Sequence, residues 1–387
     1  MQLNPLFAGM GATIFEEMSA LSRETGAINL GQGFPESQGP LALREAAGRW
    51  LIEGDNQYPP MRGVPQLRAA VAEHYGRHQG IAAGPETVVV TSGATEALAA
   101  ALVSVVQPGD EVIIFEPAYD AYRPLIEMAG GTARAVRLAP PCWAIHEAAI
   151  EALVTPRTRA VLFNNPLNPA ARAYTAEELA AVARVCVRHD LVAISDEVWE
   201  HLVFDGRRHL PLAGQPGMAE RTIKIGSAGK IFSMTGWKIG FMVAHGALIE
   251  TVARAHQFLT FTTPPNLQLA VAEGLAWPET WFDDMRASYA ASRDRLAERL
   301  TAEGFAVLPS EATYFLCVDL AASGVALDGA TFSRRSTREF GVAAIPLSSF
   351  FGDGSAAGFI RLCFAKSDAT LDLGAERLAR ARDALRA

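Results

Sequence analysis

The chain is short of several things. Its 387 residues include four cysteines, Cys142, Cys186, Cys317 and Cys363, and no two of them form a CxxC pair. That sets aside a disulfide scaffold or a zinc ribbon and leaves reduced core thiols as the reading. Basic residues are outnumbered, 34 against 42 acidic, for a formal net charge of −8. A dedicated binder of nucleic acid or of anionic membranes wants a basic face, so neither partner is expected. No apolar run is long enough for a bilayer: the longest, Val88 to Val106, is broken by Thr91, Ser92, Gly93, Thr95 and Glu96. The opening MQLNPLFAGMGATIFEEM has neither a basic start nor a signal-type apolar stretch, so a cytoplasmic location is expected. Repeats, low-complexity segments and long linkers are missing as well. A chain of this length buries about three quarters of its unfolded surface and needs no staple.

What is present is an alternation. Short β-branched runs, Glu86–Thr91, Glu111–Phe115, Arg159–Phe163, Leu191–Ser195 and Thr222–Ile225, are separated by helical stretches. One stretch is Thr95 to Val106, and another opens with the capping box Thr175-Ala-Glu-Glu178 and runs towards His189. Continuous apolar strands between amphipathic helices imply an α/β domain, a sheet covered on both faces. The texture changes at the ends. Residues 1–44 are irregular and rich in glycine and proline. From about 276 the chain predicts a long charged helix, Trp281 to Glu303, then strands at Tyr314–Asp319, Val342–Ile345 and Phe359–Phe364. The expected division is an N-terminal arm joining the small domain (1–44), a large domain (45–275) and a small α+β domain (276–387).

Right-handed crossovers line the strand C-terminal ends along one rim, where open α/β sheets bind ligands. After the first run comes Ser92-Gly93-Ala94-Thr95, a small-residue turn into a helix N-terminus, which suits a phosphate. After the third come Asn164 and Asn168 within NNPLNP, after the fourth Asp196, and after the fifth Ser227, Lys230 and Lys238. Each alone is an ordinary turn, cap or surface residue. Together they suit an aldehyde cofactor carrying a phosphate and a pyridine ring: a lysine for the Schiff base, an acid for the ring nitrogen and a donor for the ring hydroxyl.

At this point the sequence resembles the fold-type I, class I pyridoxal-phosphate aminotransferases along essentially its whole length. Within them it is most similar to the kynurenine/glutamine and methionine-preferring enzymes. The matching segments are GQGFP (31–35), NQYPPMRGVPQLR (56–68), TSGATEAL (91–98), EPAYDAY (116–122), NNPLNP (164–169), SDEVWEH (195–201), SAGKIFSMTGWKIG (227–240), VAAIPLSSFF (342–351) and IRLCFAKSD (360–368). The resemblance implies a mostly parallel seven-stranded sheet, a smaller α+β domain from both termini, and pyridoxal 5'-phosphate as cofactor. It also implies ping-pong transfer of an amino group to a 2-oxo acid, and a homodimer with shared sites.

Residue by residue, the resemblance makes Lys230 the Schiff-base lysine and proton shuttle, and Asp196 the partner of the ring nitrogen. Asn168 matches the asparagine at the ring hydroxyl, and Tyr119 the aromatic that stacks on the ring. Gly93, Ala94, Thr95, Ser227 and Lys238 surround the phosphate, with Lys238 where many relatives have arginine. Tyr58 reaches the phosphate of the neighbouring subunit. Arg361, joined by the backbone at Gly33, clamps the substrate α-carboxylate, for which a planar fork is suited. Phe34, Tyr119, Phe261, Phe350 and Trp199 are expected to line the side-chain pocket.

Trp199 is the main departure, because the family pattern has tyrosine three residues after the aspartate. An indole has one donor and no acceptor, so either its N–H substitutes or Asn168 holds the hydroxyl alone, and a raised pKa is expected for the lysine Schiff base. Ala171 replaces the usual glycine after the Asn-Pro turn, with little effect expected. No arginine is placed for a second substrate carboxylate, so methionine, phenylalanine, leucine, kynurenine or glutamine is favoured over aspartate as donor. The alternatives are a cysteine-conjugate C–S β-lyase on the same fold and the effector domain of a transcription regulator. The latter would need a helix-turn-helix segment and a basic face. His74 and His78 have i, i+4 spacing but no third ligand, so a solvated helix face is the reading, no metal is expected, and His201 is read either as a neighbour of the cofactor or as a buried, satisfied histidine.

Overall fold

The computed structural model describes residue 1 and residues 3–386. Thirteen strands appear among them. In chain order they are β1 (Ile28–Asn29), β2 (Val88–Ser92), β3 (Glu111–Glu116), β4 (Thr132–Arg137), β5 (Thr158–Asn164), β6 (Val192–Asp196) and β7 (Thr222–Ser227). Then follow β8 (Ile239–Val243), β9 (Ala306–Val307), β10 (Phe315–Asp319), β11 (Val342–Ala343), β12 (Ile345–Pro346) and β13 (Phe359–Cys363). Seven of them form one sheet in the order β2-β8-β7-β6-β5-β3-β4. Only β8 runs antiparallel to its neighbours, so the C-terminal ends of β2, β5, β6 and β7 share a rim. The central strands carry apolar runs because both faces are covered: every residue of β3 and β7 is buried. This is the mostly parallel seven-stranded sheet that the resemblance implies.

Four further strands make an antiparallel sheet, β12-β13-β10-β9. The two-residue β1 pairs in parallel with β11, which ties the segment before residue 30 to the C-terminal part of the chain. The long charged helix spans Glu279–Ala302. The helix Ala176–Arg188 starts with the reciprocal Thr175/Glu178 capping box.

The structure differs from the sequence reading in places with a local cause. Residues 1–44 are not irregular, since a helix at Ile14–Thr25 is capped by the Thr13 side chain and closed by Gly26 at φ 65°. β4 lies at the sheet edge with alternate residues exposed, so it lacks the apolar run that marks its neighbours. β8 opens right after a turn in which Lys238 takes a left-handed conformation, φ 55°, and the motif there hides the strand. The segment 342–345 is two short strands pairing with different partners. Cys142 is exposed, unlike the other three cysteines.

Candidate active site

The register sets the rim. Asn164 lies opposite Asp196, and Asp196 opposite Ile225, two residues before the end of β7. On the other flank Ser92 pairs with Ile239 and Ser227 with Gly240. The helix Gly93–Val105 begins at the end of β2 without a side-chain cap from Ser92, which leaves its first N–H groups for a ligand. Two glycines permit the close approach there. Gly93 has φ 70°, and a Cβ on it would lie 3.2 Å from Lys238 Nζ. A Cβ on Gly240 would lie 2.6 Å from the Gly93 backbone, closer than real contacts allow. Behind the turn, Glu96 accepts from Ser92 N–H (2.9 Å) and holds His256 (2.9 Å), which fixes the helix start.

A cavity of about 220 Å³ at this rim brings together Gly93, Ala94, Thr95, Tyr119, Asn168, Asp196, Trp199, Ser227, Lys230 and Lys238. Asp196 is buried and receives the Tyr122 hydroxyl (2.6 Å) and, more weakly, Val198 N–H (3.4 Å). No lysine or arginine pairs with it among the described residues, and burial raises its carboxyl above the usual range. Burial likewise pushes Lys230 down to about 8. Its Nζ donates to the Tyr314 hydroxyl (3.0 Å) and to Gly33 O (3.4 Å), and lies 4.6 Å from the centre of the Trp199 ring.

A second cavity of about 310 Å³ adjoins the first and shares Tyr119, Asn168, Trp199 and Lys230 with it. It adds Gly33, Phe34, Phe15, Phe315, Asp120 and Arg361. Arg361 sits mid-strand in β13, opposite Cys317 and Ile345, and is 1% exposed. Its Nη1 donates to Asn168 Oδ1 and its Nη2 to Gly31 O, both at 2.9 Å, and Phe315 lies 3.9 Å from the guanidinium carbon. Burial lowers its pKa to about 10, which keeps it charged at neutral pH, and its Nε is buried without a hydrogen-bond partner.

Not every expected residue is at the cavities. Phe350 stands behind Arg361, 5.1 Å from it and edge-on to Phe15, rather than on a cavity wall. Phe261 and Tyr58 pack against each other at 5.4 Å, with Tyr58 84% exposed. The histidines also depart from the solvated reading. His74 is buried, its Nε2 2.7 Å from His201 Nε2, while His78 pairs with Glu279. His201 is part of this buried pair and lines neither cavity. Among the described residues, Glu197, Glu200 and His209 have metal-ligand spacing, but the Lys224 ammonium already binds both carboxylates, at 2.5 and 2.8 Å.

Sequence reasoning placed Asn164 on the rim without a role of its own, and missed Tyr122, Asp120 and Tyr314. Asn164 orders the turn: its amide donates to Asp196 O and its Oδ1 accepts from Asn168 N–H, both at 2.9 Å. Tyr122 and Asp120 lie in EPAYDAY, so that motif held a signal. Tyr314 looked like the first residue of a strand.

The donor set fits a phosphorylated pyridine. An uncapped helix start faces Lys238, a lysine is partly neutralised by burial, and a buried carboxylate lacks a cation that a protonated ring nitrogen would supply. Fold and site define a pyridoxal-phosphate-dependent transferase of fold type I. The chain belongs to the class I and II aminotransferases, whose family model matches residues 25–378. It is 46% identical to a probable N-succinyldiaminopimelate aminotransferase, DapC, of Mycobacterium tuberculosis, over 95% of each chain. It is 41% identical to the methionine aminotransferase of Escherichia coli, over 95% of this chain and 96% of that one. The solved structure of N-succinyldiaminopimelate aminotransferase from Mycobacterium tuberculosis superposes with a TM-score of 0.94, covering 98% of this chain and all of that one. The protein is a transaminase dependent on pyridoxal phosphate, and none of its described helices is long and apolar enough to cross a membrane.

Proposed function

We propose that the enzyme takes its amino group from an apolar, aromatic or glutamine-like L-amino acid, such as methionine, phenylalanine, kynurenine or glutamine. The observation that carries this is the wall of the second cavity. Its cations are Lys230 and Arg361, its aromatic residues are Phe15, Phe34, Phe315, Tyr119 and Trp199, and its one acid is Asp120. Arg361 serves the α-carboxylate, so a second carboxylate would meet aromatic rings and Asp120 without a fork of its own.

The bound cofactor supplies an aldehyde for the amino group and a ring that holds electrons from the α-carbon. The chain's residues bind and orient around it. Gly93, Ala94 and Thr95 offer N–H groups, and Ser227 and Lys238 a hydroxyl and a charge, to the phosphate. Asp196 would keep the ring nitrogen protonated, Asn168 would hold the ring hydroxyl and Tyr119 would cover the ring. Lys230 would anchor the cofactor and move the proton at the substrate α-carbon through Nζ. Tyr58 serves the site of a second copy, a reading supported by its exposure beside Phe261 and by the 86% exposed Phe258.

The 46% likeness to DapC favours a second reading, a donor such as N-succinyldiaminopimelate with distal carboxylates. A half-reaction screen of the twenty amino acids, kynurenine and that compound, followed by the cofactor's spectral change, separates the two. Methionine, phenylalanine, kynurenine or glutamine should lead. Higher kcat/KM for aspartate or for the succinylated compound would overturn the proposal.

A further inference from the structure

Tyr314 immediately precedes β10 and is buried, and its hydroxyl hydrogen-bonds the Lys230 amine. The hydroxyl donates to Gly33 O, so its proton is committed and its oxygen is free to accept. Lys230 Nζ donates to that oxygen at 3.0 Å and to Gly33 O at 3.4 Å. The Trp199 ring lies on a further side of the amine, 4.6 Å from Nζ. Trp199 and Tyr314 also brace each other edge-on, with ring centres 4.5 Å apart at 87°. On its other side Tyr314 meets Tyr289 at 6.2 Å, whose hydroxyl is held by Ser233 at 2.5 Å.

This arrangement has two acceptors and one electron-rich ring face around a single nitrogen. Both acceptors are spent on N–H groups, so a neutral amine held here has its lone pair left for a proton. A protonated one gains from both oxygens and from the indole face. Trp199 has no oxygen to offer where the family pattern has tyrosine, and the phenol within reach comes from Tyr314. The Gly31–Gly33 segment also receives Arg361 through Gly31 O. The carboxylate clamp and the amine contact therefore lean on one short stretch of backbone.

We propose that the Tyr314 phenol, Gly33 O and the face of Trp199 form a cradle for the free Lys230 amine, making Tyr314 a positioning residue for the proton that Nζ carries. This rests on Lys230 being the proton carrier of the transamination above, but it does not depend on which amino acid is the donor.

The test is Tyr314→Phe in the full chain, with Trp199→Leu as a second variant and circular dichroism to verify folding. In protein freed of cofactor, acetic anhydride labels Lys230 as a function of pH, read by mass spectrometry of its peptide with Lys366 as internal reference. The cradle favours the charged amine, so the labelling midpoint should fall by about one unit in each variant, a tenfold shift. In the loaded enzyme Tyr314→Phe should lower kcat about tenfold at unchanged KM for the donor. An unchanged midpoint in both variants overturns the proposal, and so does a loss of thermal stability with labelling unaltered, which would make Tyr314 a core residue only. A surprising donor ranking would sink the substrate reading while leaving the labelling shift intact.

Discussion

Replacing Arg361 by lysine isolates what a guanidinium does in the second cavity. The wild-type group is held at both ends, by Asn168 Oδ1 and Gly31 O at 2.9 Å, and is stacked 3.9 Å from Phe315. It is therefore pre-positioned, and its charge survives burial because its pKa, though lowered, stays near 10. Lysine keeps the charge but loses the fork, so the substrate carboxylate loses at least one charge-assisted hydrogen bond. Such a bond contributes about 1.5–3 kcal/mol, which corresponds to a drop in kcat/KM of roughly ten- to 150-fold. The carboxylate is common to every donor, so methionine, phenylalanine and glutamine should all lose by the same factor. Steady-state kinetics with the three donors measures this, with thermal melting as a control. A drop for one donor that spares another would refute the reasoning, because a shared clamp cannot discriminate.

Three further outcomes are expected. Mixed dimers of a Lys230→Ala chain with a Tyr58→Ala chain should regain activity at one site, where the Tyr58→Ala chain contributes Lys230 and its partner contributes Tyr58, while the other site lacks both; mixtures no more active than the parents would count against a shared site. Lys224→Met should destabilise the fold by about 3–5 kcal/mol, because it strands two buried carboxylates, as chemical unfolding can measure. Burial opposes the charge of Glu197, but Lys224 and His209 outweigh it and lower its pKa from 4.5 to about 2. That stability is present above pH 4.5 and is lost as pH falls towards 2, so the deficit of the variant should shrink over the same window. Ala171 adopts φ 58°, a left-handed conformation that costs an alanine about 1 kcal/mol, so Ala171→Gly should raise the melting temperature; a lower one would contradict the strain argument.

The α/β class was legible because buried parallel strands read as apolar runs, and the cofactor set because its members follow successive strands. Both signals are local in sequence. What the sequence hid was tertiary. Tyr314 reaches Lys230 across 84 positions of chain, and only folding brings β10 beside the rim. His74 and His78 share helical spacing, yet one is buried against His201 while the other faces Glu279, a distinction that depends on what packs over the helix. Phe350 carries a motif position but backs the clamp instead of lining the cavity, because Phe15 from the N-terminal helix stands beside it. The Ala171 strain was invisible for a related reason: composition does not reveal φ.

The two acids at the end of β6, Asp196 as its last residue and Glu197 just beyond it, make the same point in electrostatic terms. Asp196 and Glu197 are neighbours, both buried, and indistinguishable as letters. Glu197 is complete: it accepts from Lys224, Ser195, His209 and Leu212 N–H, all within 3.0 Å, and its pKa falls. Asp196 has a phenol and a long backbone contact, no cation among the described residues, and a pKa that rises. A buried charge without a counter-ion is costly, and a fold that supplies one acid fully while leaving its neighbour short has left room for an outside cation. A protonated pyridine nitrogen meets that need. The proposed function therefore assigns the cofactor to the unpaired acid, and the paired acid beside it to the scaffold.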